Sequence, residues 1–499
     1  MSLFNDRPER RVIPRWRDST VTSLLHESDP LPSRDPERIV SEESFQQRLD
    51  EWRHNRALPY AAELVGAGLV LGHQDQVTEA AEFILAVEQA PEAARRIAAR
   101  SLALVGRGPL DELQLTSRET IRQARQRLRV FPHNPLEWVD LARQFTRTGQ
   151  LIKARHAMSC AIELGGHDRF TLRSATRLLL HVGDTAAALR MLRRSPATRR
   201  DPWLLAAEVA TATVAGVPPR FIKEARNLIK GATLHPWHLN ELASAMATLE
   251  LNEGSTKRAR QLFALSLKSP TDNSVAQLQW AKSRLSTLEL PQGALEMPRV
   301  FEAISWERYE SGGWESSLAA TERWLDDEPF SARPAIMGTF ISAVLLEAYD
   351  RSVEIARRGL TANPENQTLR NNLVFALASA GHVEQAIKES RRVTVERFEN
   401  PDAAIAWTAT RGLLAFRGNR VEEGRKLYRD AIELAKRDER MRAFAAAFLA
   451  REEILARTTE ARAALTLALE MSRRLISPPL ADLLVRVTRL KESLGLVGP

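Results

Sequence analysis

The feature that most constrains this chain is a recurrence at about 34 residues, the length of two short helices and the turns that join them. In the stretch that begins at Asn134, NPLEWVDLARQFTRTGQLIKARHAMSCAIEL, Trp138, Leu141 and Phe145 recur every three or four positions and form one apolar helix face. Gly149 ends that helix, and Ala154, Met158 and Ala161 line a second one. One interval later Gly183 repeats Gly149 and Ala188 repeats Ala154, while Leu172, Ala175 and Leu179 take the places of Trp138, Leu141 and Phe145. A pair of helices joined by a tight turn packs closely where small residues such as Ala142 and Ala154 let the backbones approach. One pair cannot bury its apolar faces alone, so neighbouring pairs must stack.

The unit returns later in the chain. Leu373, Leu377, Gly381 and Ala386 keep the spacing, as do Trp407, Leu414, Gly418, Tyr428 and Ala431, and weaker units centre on Gly216, Gly254, Gly313 and Ala348. This pattern resembles the tetratricopeptide repeat (TPR), a pair of antiparallel helices with the same period. The resemblance covers about 135 to 435 and implies an all-α fold, a right-handed superhelical solenoid of antiparallel helix pairs. It also implies that the first helix of each pair lines an inner wall, and that this wall recognises other proteins.

Breaks in the pattern suggest boundaries. Residues 1–36 carry five prolines and no helical period, which reads as an extended or disordered arm. In that arm Arg15, Trp16 and Arg17 stand out as a group to anchor a partner or to occupy the chain's own groove. A degenerate helical region follows at 37–134, then a first array at 135–285. Pro291, Gly293 and Pro298 interrupt the period at 286–298 and predict a hinge. A second array is expected at 299–476, and a capping helix at 477–499.

Composition removes several functional classes. With 44% hydrophobic and 27% charged residues the chain is globular in type, and it contains no uncharged apolar run of about 18 residues to span a bilayer. Its start, MSLFNDRPERRVIPR, lacks the apolar run of a signal peptide, and the single cysteine, Cys160, allows no internal disulfide. A cytoplasmic location without membrane attachment is therefore expected. No phosphate-cradling glycine loop, dinucleotide fingerprint or Gly-x-Ser-x-Gly elbow occurs. His235 and His238 lack an adjacent carboxylate or thiol to complete a metal site. The expectation is a non-catalytic protein with no catalytic residues, no cofactor and no metal.

Charge is distributed unevenly. Between Arg95 and Arg200 stand 21 basic and 8 acidic residues, whereas Arg299 to Asp350 holds 4 basic and 10 acidic, with Asp326, Asp327 and Glu328 in a run. Head-to-tail self-association through opposite charges is one consequence of such asymmetry. Arg118, Arg122, Arg125 and Arg129 fall four, three and four apart on one helix face, opposite Ile121, Ala124 and Leu128. They are candidate anion or nucleic-acid contacts.

Arg143 and Arg147 on one first helix, with Arg173 and Arg177 on the next, occupy places that the resemblance assigns to the inner wall, and His181 lies one turn beyond Arg177. Guanidinium groups gathered there suit an acidic or extended peptide. Asn372 also fits the Asn of the carboxylate clamp known in the family. The corresponding places on the neighbouring units carry Met337, Ile341, Ile405 and Ala409 in place of basic residues, so Asn371 and Asn372 are read as partners for a peptide backbone. The sequence thus predicts a protein-interaction scaffold or regulator. Its alternatives are a nucleic-acid-binding regulator and a regulatory subunit of a separately encoded enzyme.

Overall fold

Segments rich in Ala and Leu, with apolar residues every three or four positions, become helices throughout the computed structural model. The structure describes residues 13–19, 42–105, 117–166, 168–231, 234–282, 284–285, 288–394 and 401–495. Among these residues there are 25 α-helices and no strand. The described residues group into two compact units, one within 17–144 and one in which residues 13–16 join those from 145 onward.

The smaller unit contains helices Glu42–His54, Leu58–Leu71, Thr78–Ala86, Glu92–Leu104 and Ser117–Val130, and most of Pro135–Arg147. Phe45, Trp52, Leu64, Val65 and Ile84 form the core of its first four helices. The expected boundary at 134 thus differs from the observed grouping, which keeps residues 135–144 with the preceding helices.

The larger unit is a succession of helix pairs. After Leu151–Gly165 come Arg169–His181 with Thr185–Arg194, Pro202–Ala215 with Ile222–Gly231, and Pro236–Asn252 with Thr256–Ser266. Following Asp272–Lys282, the pairs are Phe301–Glu310 with Trp314–Asp327, Ala332–Phe340 with Tyr349–Ala362, and Gln367–Ser379 with Val383–Ser390. Pro401–Arg417 with Val421–Leu434, then Glu439–Leu455 with Ala461–Ser472, complete the series before Pro478–Ser493. Several starts are set by side-chain caps. The carboxylates of Asp168, Asp184 and Asp438 accept from backbone N–H groups three residues on, satisfying donors that no helix turn reaches.

Ends of first helices are set by a left-handed residue. Gly149, Gly183, Gly216, Gly254, Gly312, Glu347, Gly381, Asn419 and Arg457 all have positive φ at the turn between paired helices. Several of these steps keep the interval read from the sequence, as from Gly149 to Gly183 and from Glu347 to Gly381. In the units centred on Gly313, Ala348 and Gly418 the left-handed residue is the immediate neighbour, Gly312, Glu347 or Asn419. First helices stack on first helices, Pro202–Ala215 against Pro236–Asn252 and Gln367–Ser379 against Pro401–Arg417.

Two expected features take a different form. The 286–298 stretch does not divide the larger unit: Leu288 packs with Phe263 and Trp280, and Ala294 and Val300 pack with Val275 and Ala303. Burial of these apolar residues is what holds a proline-interrupted segment in place. Its residues 286 and 287 lie outside the described residues. The arm at 1–36 also lies outside them except for 13–19, and within that stretch Ile13–Trp16 is buried, not an open tail. At the far end Leu480, Leu483, Leu484 and Val487 of the capping helix are buried, and 496–499 fall outside the description.

Candidate functional site

Five first helices of the larger unit, from Phe301–Glu310 to Glu439–Leu455, line a pocket of about 230 Å³. The helix Gln367–Ser379 shows how the sequence builds it. Leu369, Leu373, Val374 and Leu377 pack inward, so the remaining face carries Asn371, Asn372 and Phe375 to the pocket. Phe340, Phe375, Phe444 and Phe448 give the wall an aromatic character. Phe375 and Phe448 meet edge to face with centroids 5.4 Å apart, and Phe340 and Phe444 at 6.4 Å. A π-helical turn, Ile341–Leu345, extends Ala332–Phe340 and brings Ala343 and Val344 to the same wall.

The polar groups of this pocket are few. Asn372 Nδ2 donates to Thr339 Oγ1 at 2.8 Å, which fixes its amide. Asn371 is only 6% exposed, and its Oδ1 accepts no hydrogen bond from any described residue. An amide oxygen removed from water in this way costs about 1–3 kcal/mol unless a ligand supplies a donor. Behind the aromatic wall Arg451 lies 4.9 Å from the Phe448 ring and 5.8 Å from that of Phe375, paired with Glu452. Burial opposes its charge, but the carboxylate of Glu452 and the nearby tyrosines more than compensate and hold it protonated.

Two of the four arginines expected on an inner wall, Arg173 and Arg177, are engaged within the chain. Arg173 pairs with Glu241 at 2.9 Å and lies 5.0 Å over the Trp203 ring, with both members of the ion pair under 5% exposed. Arg177 lies 4.9 Å over Phe330. His181 meets the same ring edge-on at 6.0 Å, and burial followed by the charge of Arg177 pushes its pKa down to about 4. At neutral pH it is an uncharged, half-buried side chain. Arg143 is buried and Arg147 half-buried on Pro135–Arg147. Glu241 stands two repeats beyond Arg173 in sequence, so nothing local foretells the pairing.

In the smaller unit the helix Ser117–Val130 presents Arg118, Arg122, Arg125 and Arg129 as exposed side chains, while Ile121, Ala124 and Leu128 are buried. On Pro135–Arg147, Asp140 accepts from both the backbone N–H and the hydroxyl of Ser19, at 2.9 and 2.7 Å. Burial and the negative charge of Asp18 raise its pKa to about 7 despite those two donors. Among the described residues no group of three or more His, Cys, Asp or Glu is placed to hold a metal ion, and no helix is long and apolar enough to cross a membrane.

Helix pairs closed by left-handed turns and stacked first helix on first helix decide the architecture. The fold is tetratricopeptide-like. No family model and no curated protein matches the chain. Among solved structures, yeast Tom70 is similar over 88% of this chain and 96% of its own, with 12% identity and a TM-score of 0.31. The APC/C hetero-tetramer Cut9–Hcn1 is similar over 91% of this chain and 88% of its own, with 10% identity and a TM-score of 0.40.

Two groups escape a reading of the sequence alone. The aromatic pocket residues Phe340, Phe375, Phe444 and Phe448 carry the same helical spacing as core residues, so periodicity does not separate them from packing. The acidic residues Asp272, Glu302 and Glu328 come from three separate elements, and only the run at Asp326–Glu328 hints that they matter.

Proposed function

We propose that the chain is a non-catalytic binding protein that takes up a short apolar segment of a partner protein in the pocket at Asn371 and Phe375. The observation that carries this reading is the aromatic pocket itself, lined by Phe375 and by Asn371, whose buried Oδ1 accepts nothing from the described residues. A peptide N–H would satisfy that acceptor, and apolar side chains of the peptide would cover the phenylalanines. The sequence points first to Arg143, Arg147, Arg173 and Arg177 as holders of an acidic partner, but the intrachain engagement of Arg173 and Arg177 favours the pocket over them.

The test is selection of a random peptide library on the purified chain, followed by titration of the enriched peptides. Asn371→Ala and Phe375→Ala should each weaken binding at least tenfold, with helix content unchanged. Failure to enrich any peptide, or enriched peptides indifferent to both substitutions, would refute the reading.

A second reading, phosphate contact with a nucleic acid, is favoured by the exposed face of Arg118, Arg122, Arg125 and Arg129. Affinity for a short duplex should then fall steeply with salt, and each Arg→Ala should lower the slope of log K against log salt by about one. A salt-independent affinity, or none, would remove this reading.

A further inference from the structure

The segment Ile13–Trp16 sits in the larger unit in the manner of a bound peptide. Its backbone forms neither helix nor strand, and Trp16 and Arg15 are 0% and 6% exposed. The groups that hold it come from the far half of the chain. The Arg15 guanidinium meets Asp272 at 3.3 Å, Glu302 at 2.5 Å and Glu328 at 2.9 Å. These carboxylates come from the start of Asp272–Lys282, from Phe301–Glu310 and from just beyond Trp314–Asp327. Trp16 lies against Phe330 with ring centroids 5.2 Å apart. The amide of Asn273 donates to the carbonyl of Ile13 at 3.3 Å, so the backbone is held as well as the side chains.

Three buried carboxylates converging on one point form a site for a guanidinium. Arg333 reaches Glu302 and Arg177 lies near Glu328, while Arg15 contacts all three acids. Planar geometry and five donors let arginine serve several carboxylates at once, which a lysine ammonium does less well. Next to the acids, the Phe330 ring offers a face for an aromatic side chain.

We infer that Asp272, Glu302, Glu328, Asn273 and Phe330 form a recognition site for an extended peptide carrying arginine followed by an aromatic residue, and that Ile13–Trp16 is its resident, displaceable occupant. The segment is an internal competitor: a partner peptide of the same chemistry gains access when it leaves. The site shares no residue with the lining of the Asn371 pocket, although the pocket's Arg333 and Trp324 bond Glu302 and Glu328, and either assignment can fail without the other.

The experiment uses the full chain and a fluorescently labelled peptide VIPRWR, identical to residues 12–17. Arg15→Ala/Trp16→Ala, checked for unchanged helix content and size, should bind the peptide at least tenfold more tightly than the wild type. Adding Glu302→Gln and Glu328→Gln should abolish that binding, and replacing the first arginine of the peptide by lysine should weaken it at least fivefold. A folded double variant that ignores the peptide, or equal affinity of wild type and variant, would overturn the inference and leave the segment as a fixed structural staple.

Should the double variant fold poorly, a protease site placed within residues 20–41 of the otherwise unaltered chain gives the second measurement. After cleavage, excess labelled peptide should exchange with the released N-terminal fragment. Absence of exchange over a day would equally overturn the proposal.

Discussion

Replacing Arg15 by alanine should release the segment that it anchors. The side chains of Asp272, Glu302 and Glu328 around it are all no more than 8% exposed. Removing one partner of a buried ion pair costs about 3–5 kcal/mol, because the remaining charges stay desolvated. Burying Ile13 and Trp16 contributes roughly 1.5–3 kcal/mol each. Against this, fixing the backbone of four residues costs roughly 1–2 kcal/mol apiece. Apolar burial and ordering therefore come close to offsetting each other, and the guanidinium decides whether the segment stays down. Incorporation of 5-fluorotryptophan provides the assay, with the Trp16 line assigned by its loss in Trp16→Phe. In Arg15→Ala that line should move from a buried shift to the shift of a free peptide. A line unmoved in the variant would mean that the apolar contacts alone hold the segment down and that the guanidinium does not decide its docking.

Acid should act on the same contact. Burial opposes the charge of Glu328, yet Arg15, Arg177 and a hydrogen bond from the Trp324 indole outweigh it and hold its pKa at about 2. A depressed carboxylate stabilises the folded state above its ordinary pKa and loses that contribution as pH falls toward the folded value. The Trp16 line should therefore stay at its buried shift at pH 4 and leave it only as pH approaches 2; loss of docking already at pH 5 would contradict this. Asp140 has the opposite sign. Its pKa is raised to about 7, so the stability it confers is full below the ordinary carboxylate range and declines as pH rises to about 7. Asp140→Asn should flatten that decline in urea titrations of the chain, and an unchanged pH profile would count against the assignment. In the helix pair Pro401–Arg417 and Val421–Leu434, a Cβ at Gly424 would stand 2.5 Å from Phe416 and 2.9 Å from the Gly412 carbonyl. Gly424→Ala should destabilise by about 1–3 kcal/mol through overpacking. At Gly381, by contrast, a Cβ meets open space and only the positive φ penalises a side chain. Melting temperatures should rank Gly424→Ala below Gly381→Ala; the reverse order would place the close approach elsewhere.

The fold is legible in the sequence because its signal is local and periodic. Gly149, Gly183, Gly216, Gly254 and Gly381 all close first helices in the left-handed conformation that glycine adopts without penalty. The turns at Glu347 and Arg457 are harder to place, since a residue with no preference for that conformation takes it there and leaves no compositional mark. The site is less legible for the same reason in reverse. Arg173 and Arg177 are readable as a stripe on one face, but their partners Glu241 and Phe330 lie in other repeats. Asn371 and Asn372 are readable as polar residues on a first helix. That one is tied to Thr339 and the other leaves an acceptor open depends on stacking that no single repeat encodes.

The central claim, that partner segments bind along the first helices at Asn371 and Phe375, is tested most directly by photocrosslinking. A benzoylphenylalanine placed at position 375, and separately at exposed Leu434 near the end of a second helix, is irradiated with a library-selected peptide. A covalent adduct is expected from 375 and none from 434. An adduct from 434 alone would put the binding surface on the second helices and contradict that claim.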